Sequence, residues 1–160
     1  MNKMKIMLNM AGVLLACVVC GSVAQAQAPR TWVSGVGDDA NPCSRTAPCK
    51  TFAGAISKTA NNGEIDVLDP GGFGAVTITK SITIDGRPVE AGVLVSGTNG
   101  IVVAATASDK VILRGLDFNG SGTGINAITF STGAQLSVEG CIFYVVSYAI
   151  VLFVNVVGLL

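Results

Sequence analysis

From Gly63 to Cys141 short apolar runs alternate with clusters of turn-forming residues. The runs are Ile65–Leu68, Ala75–Ile78, Ser81–Ile84, Gly92–Val95, Ile101–Val103, Val111–Leu113, Ile125–Phe130 and Leu136–Val138. They are rich in Val, Ile and Thr, whose branched side chains suit an extended backbone. Gly, Asn, Asp and Pro fill the breaks. Nothing in this interval has the length or period of a helix. Upstream, the pattern predicts a short strand at Thr31–Ser34, a loop from Gly35 to Pro48 and a helix over Thr51–Thr59. Phe52 and Ile56 share one face of that helix, Ala53, Ala55 and Ala60 favour it, and Asn61-Asn62-Gly63 reads as its stop.

Two all-β architectures fit such runs. A sandwich predicts hairpins with clean in/out alternation. A parallel β-helix predicts coils of roughly 20 to 30 residues that each contribute similar short strands. One internal echo favours the second. Ile112-Leu113-Arg114-Gly115-Leu116-Asp117-Phe118 returns twenty-five positions later as Ser137-Val138-Glu139-Gly140-Cys141-Ile142-Phe143.

Composition narrows the class. The 160 residues are 50% hydrophobic and 12% charged, half the charge of an ordinary domain, which excludes a highly charged disordered chain. Ten Lys and Arg balance ten Asp and Glu, so there is no basic footprint for nucleic acid. The chain has no His, which removes His-dependent triads and most zinc and haem sites. Residues 1–26 read as a secretory signal peptide: Lys3 and Lys5, an apolar stretch from Ile6 to Val19, then Ala24-Gln25-Ala26 with cleavage after Ala26. A first transmembrane helix is the competing reading, and Leu14-Leu15-Ala16-Cys17 also resembles a lipobox. Export to the periplasm, cell surface or medium makes disulfides plausible. Cys43 and Cys49, close together in a Pro-containing loop, read as a local bridge, with metal ligation or free thiols as the alternatives. Cys141 is the odd cysteine, a buried thiol by its apolar surroundings.

The segment Thr31-Trp32-Val33-Ser34…Gly37-Asp38-Asp39-Ala40-Asn41-Pro42…Ala47-Pro48-Cys49-Lys50-Thr51-Phe52…Ala55-Ile56 resembles the opening of many secreted bacterial right-handed parallel β-helix proteins of the pectate-lyase-like superfamily. Gly63-Glu64-Ile65-Asp66-Val67-Leu68 and Lys80-Ser81-Ile82-Thr83-Ile84-Asp85-Gly86 are similar to that family's first coil. The resemblance runs from Thr31 to about Phe143, specific up to Gly86 and generic after it. It implies an all-β, right-handed, single-stranded parallel β-helix with a short N-terminal capping helix. The cap hides the apolar, unpaired end of the solenoid, and Cys43–Cys49 would staple its loop. The implied organisation is a signal peptide (1–26), a strand, loop and capping helix (27–63), β-helix coils (64–143) and an apolar tail (144–160).

Hydrolase members of the superfamily use Asp clusters with a nearby His; lyase members use Ca²⁺-binding carboxylates and an Arg or Lys base. Neither pattern is legible here. Asp38-Asp39 lies in the capping loop and reads as a turn; with Asn41 its oxygens could hold Ca²⁺ at a low ligand count. If the echo is structural, Arg114 and Glu139 stack on neighbouring rungs as an ordinary ion pair. Cys141 to Leu160 carries no charge and is long enough to span a bilayer, but a buried coil or a truncated end fits it better. The resulting expectation is an exported, non-catalytic module, surface-associated or binding extracellular polysaccharide. A carbohydrate-active lyase or hydrolase remnant is the second reading, to be recognised by an acid cluster converging with Arg on one face. An exported protein tethered to the membrane by its tail is the third.

Overall fold

The computed structural model describes residues 27–152. Residues 1–26, read above as a signal peptide with cleavage after Ala26, and the last eight residues of the tail lie outside the described residues. Eleven strands and one helix follow in chain order: β1 (Ala28–Val33), α1 (Phe52–Lys58), β2 (Thr59–Val67), β3 (Gly71–Gly72), β4 (Val76–Ile78), β5 (Ile82–Asp85), β6 (Ala91–Leu94), β7 (Ile101–Ala104), β8 (Lys110–Arg114), β9 (Leu116–Thr132), β10 (Gln135–Glu139) and β11 (Ile142–Leu152).

Every strand pair is parallel, which excludes the sandwich. The first face stacks β1-β2-β5-β8-β10. The second stacks β3, β6 and the first part of β9, and the third stacks β4, β7 and the last part of β9. β11 follows β9 around both of these faces. The result is a β-solenoid of about three turns with one short helix.

Alternation on each strand puts one row of apolar side chains inside. Ile65, Ile84 and Leu113 make one fully buried column, headed by the buried Thr31 and continued by Val138. Val76, Ile101 and Ile128 make another on the third face. The echo is real pairing. Ser137, Val138 and Glu139 sit beside Ile112, Leu113 and Arg114, and Ile142 and Phe143 beside Asp117 and Phe118. Its glycines have a backbone reason: Gly115 and Gly140 both turn the corner at positive φ (58° and 60°), where a side chain is disfavoured.

The helix is one residue shorter at each end than Thr51–Thr59. Thr51 is its N-cap, accepting from the Gly54 amide at 2.9 Å. Its C-terminal end needs no glycine. The Thr59 hydroxyl donates to Ala55 O (2.8 Å), and the Lys80 ammonium donates to the carbonyls of Ile56 and Thr59. With those carbonyls satisfied, the chain turns straight into β2, so Asn61-Asn62-Gly63 lies within a strand. Phe52 and Ala55 are buried, and Phe52 meets Phe73 at 5.3 Å between ring centroids, closing the end of the core.

At the other end, Ile142–Leu152 is a strand of the last described rung and not a membrane-crossing helix. No helix among the described residues is long and apolar enough to cross a membrane. The strand pairs with β9 but is not buried. Tyr148 is 63% and Leu152 59% exposed, because among the described residues no further rung lies over β11. Three strand segments missed by the apolar pattern are β3, which is two glycines, the start of β9, interrupted by Asp117, and β11, whose continuous apolarity hides its alternation.

Candidate ligand-binding face

Cys43 and Cys49 are joined in a disulfide, with Cα atoms 4.6 Å apart and both residues buried. The bridge is tied to β1: Trp32 N donates to Cys43 O, Ser34 N to Cys49 O and Cys49 N to Trp32 O, at 2.9–3.0 Å. Metal ligation and free thiols are thereby replaced for this pair. Cys141 is free and half-buried, and burial pushes its thiol up.

The oxygens suggested for Ca²⁺ serve the cap. Asp39 Oδ1 accepts from the amides of Lys50 and Thr51 (2.9 Å each), and Oδ2 accepts from the Thr51 hydroxyl (2.7 Å). Burial pushes this carboxyl up, but the Thr51 and Lys50 hydrogen bonds and the Lys58 ammonium together hold it below its ordinary value. Asp38 Oδ1 accepts from Ala40 N, and the Asn41 amide donates to Pro48 O, both at 2.9 Å. Lys58 donates to the carbonyls of Asp39 and Asn41, so a built-in cation occupies the centre of this loop. Among the described residues no three His, Cys, Asp or Glu side chains are grouped to hold a metal ion.

Chemistry gathers instead on the outer surface of the first face. Trp32, Asp66, Asp85, Arg114 and Glu139 occupy one register line across β1, β2, β5, β8 and β10. Neighbouring parallel strands lie about 4.8 Å apart, so these groups stand in a row along the solenoid axis. The expected Arg114–Glu139 pair is present at 2.9 Å, and Arg114 also reaches to 4.0 Å from Asp85. Arg87 grips Asp85 through both oxygens, at 3.0 and 2.6 Å. Arg30 holds Glu64 at 2.9 Å and Asp66 at 3.1 Å. An acid cluster with Arg on one face therefore exists, although no sequence motif displays it.

The row is electrostatically graded. Burial, then the Glu64 charge, pushes the Asp66 carboxyl up to about 6, with Arg30 pulling the other way. One rung on, the Arg87 hydrogen bond holds Asp85 below its ordinary value. Arg114, with Ser137, does the same for Glu139. Away from this face, Asp109 is lowered to about 2 by the hydroxyls and amides of Thr106 and Ser81, all within 2.7–3.0 Å, and it ties successive coils together.

These shifts have opposite linkage signs. Asp66, raised when folded, contributes stability that is complete below about pH 4 and is lost as pH rises through about 6. Asp109, lowered, contributes stability that is present above about pH 4 and lost as pH falls toward 2. The melting temperature of Asp66→Asn relative to wild type should therefore rise steadily between pH 4 and pH 7. A pH-independent difference would mean that Asp66 titrates normally.

Fold and face together define a capped parallel β-solenoid with an aromatic-headed row of carboxylates and guanidinium groups. No protein-family model, curated protein or solved structure matches the chain.

Proposed function

We propose that this chain is an exported right-handed β-helix module of the pectate-lyase-like type that binds polysaccharide along its first face without cleaving it. The carrying observation is Trp32 in register with Asp66 at the head of the row Asp85, Arg114 and Glu139. An indole offers a flat apolar platform for the C–H face of a sugar ring. Carboxylates and guanidinium groups hydrogen-bond strongly to hydroxyls and to ring substituents. A linear polymer lying along the solenoid axis would meet one such group per rung. The signal-like leader and the disulfide support export. The test is binding to a panel of immobilised neutral and acidic polysaccharides. Trp32→Ala and Arg114→Ala should each weaken binding at least ten-fold with an unchanged circular dichroism spectrum. Binding that neither substitution affects, or no binding to any polymer, would sink the proposal.

One observation favours the enzyme alternative. Asp66, raised to about 6, is paired in register with Asp85, held low, and carboxyls with separated pKa values suit acid and base roles. Release of reducing ends that disappears in both Asp66→Asn and Asp85→Asn would select this reading. Binding without such release selects the module.

A further inference from the structure

The third face differs in kind from the first. None of its strand segments, Val76–Ile78, Ile101–Ala104, Ile125–Thr132 and Tyr148–Leu152, contains a charged residue. Where this face meets the capping helix there is a groove of about 360 Å³, within the roughly 300–1,000 Å³ of small-molecule sites. Its walls carry Ala53 from the helix, Ala75 and Thr77 around β4, and Thr98, Asn99 and Val102 around β7. No charged side chain lines it.

The polar groups here are unspent. Most hydroxyls of the cap and turns have partners, as in Thr31 with Thr59 (2.8 Å), Ser34 with Asp69 (2.6 Å) and Ser96 with Thr123 (2.9 Å). Among the described residues the side chains of Thr77 and Thr98 make no hydrogen bond. Asn99 uses its oxygen to accept from Asn126 (2.9 Å), which leaves its NH₂ to donate. Thr129 stands beside Val102 in the next rung, between the inward-facing Ile128 and Phe130. It is only 6% exposed, yet its hydroxyl has no partner, the one such buried side-chain atom among the described residues. A buried hydroxyl without a partner is destabilising. Thr129 lies behind Val102 and does not itself line the groove.

We infer that this groove is a second binding site, separate from the first face, for an uncharged polyhydroxylated ligand: one or two units of a neutral glycan. Thr77, Thr98 and Asn99 supply hydrogen bonds to sugar hydroxyls. Ala53, Ala75 and Val102 present methyl groups to the ring's C–H face. The absence of charge in the groove disfavours uronates and phosphorylated ligands, which would lose solvation there without a counter-charge.

The test titrates the full chain with neutral hexasaccharides, a glucose and a mannose series, by calorimetry and by amide chemical shifts. Binding of at least one series should shift the amides of Thr77, Thr98, Asn99 and Val102. The double variant Thr77→Ala/Thr98→Ala removes hydroxyls that no protein group uses, and it should weaken that binding at least ten-fold. The inference is overturned if no neutral series binds, if the shifts map to the first face, or if the double variant binds as wild type does. Should the variant fold poorly, the wild-type shift map alone decides. Acidic polymer bound through Arg114 with no neutral binding would remove this site and leave the proposed function standing.

Discussion

Phe118→Ala is expected to cost about 3–5 kcal/mol, read as a fall in the urea midpoint at unchanged slope. Phe118 is completely buried on the second face. Val93 precedes it in register, and Phe143 follows with rings stacked at 5.1 Å and 9°. Removing the ring opens a cavity between two rungs whose backbones are fixed by parallel hydrogen bonds, so little collapse can offset it. Against a typical total of about 5–15 kcal/mol, such a loss brings the solenoid close to unfolding at 37 °C. Phe143→Ala makes the informative comparison. It removes the same chemistry one rung further out, where Phe143 is only partly buried, and it should cost less than half as much. Equal losses would mean that the last rung is as well covered in solution as the third.

Reduction of Cys43–Cys49, or the double substitution Cys43→Ala/Cys49→Ala, should lower stability by about 2 kcal/mol, which is what closing so short a loop removes from the unfolded chain. The melting temperature should fall by roughly 5–10 °C. The effect should reach the cap first, because the bridge fixes the loop that supplies Asp39 to the start of α1 and Asn41 to Lys58. Amide exchange in α1 should therefore rise before exchange in β8. An unchanged melting temperature in reductant would show that hydrogen bonds alone hold the loop.

The two interaction rows differ in how far the sequence displays them. Arg114 and Glu139 are visible because the last two rungs keep one spacing from Lys110/Gln135 to Asn119/Tyr144, before the register shifts. Asp66 and Asp85 are not, because the turns between the earlier rungs differ in length and the register spacing changes from rung to rung. Trp32 is hidden further, since it precedes the whole loop and helix that separate β1 from β2. The groove on the third face is assembled from a helix and two turns of different rungs, and Thr77, Thr98 and Asn99 form no motif.

The sequence alone determined the all-β class and the short helix after Thr51, and it pointed to the local disulfide and to the parallel stacking of the last rungs. Each of these rests on information within a few residues or on one short repeat: β-branched runs, an Ala-rich segment after Thr51, two nearby cysteines and the two corner glycines of the echo, Gly115 and Gly140. Tertiary structure decided what stands beside what. Unequal turns set the register, the register set Trp32, Asp66, Asp85 and Arg114 in one line, and burial beside Glu64 lifted the Asp66 carboxyl while Arg87 lowered that of Asp85. It also turned Asp38, Asp39 and Asn41 toward the cap and Lys58, and left the apolar strand Ile142–Leu152 half exposed. Charge coupling and burial depend on distances across rungs, and those distances exist only once the chain has wound.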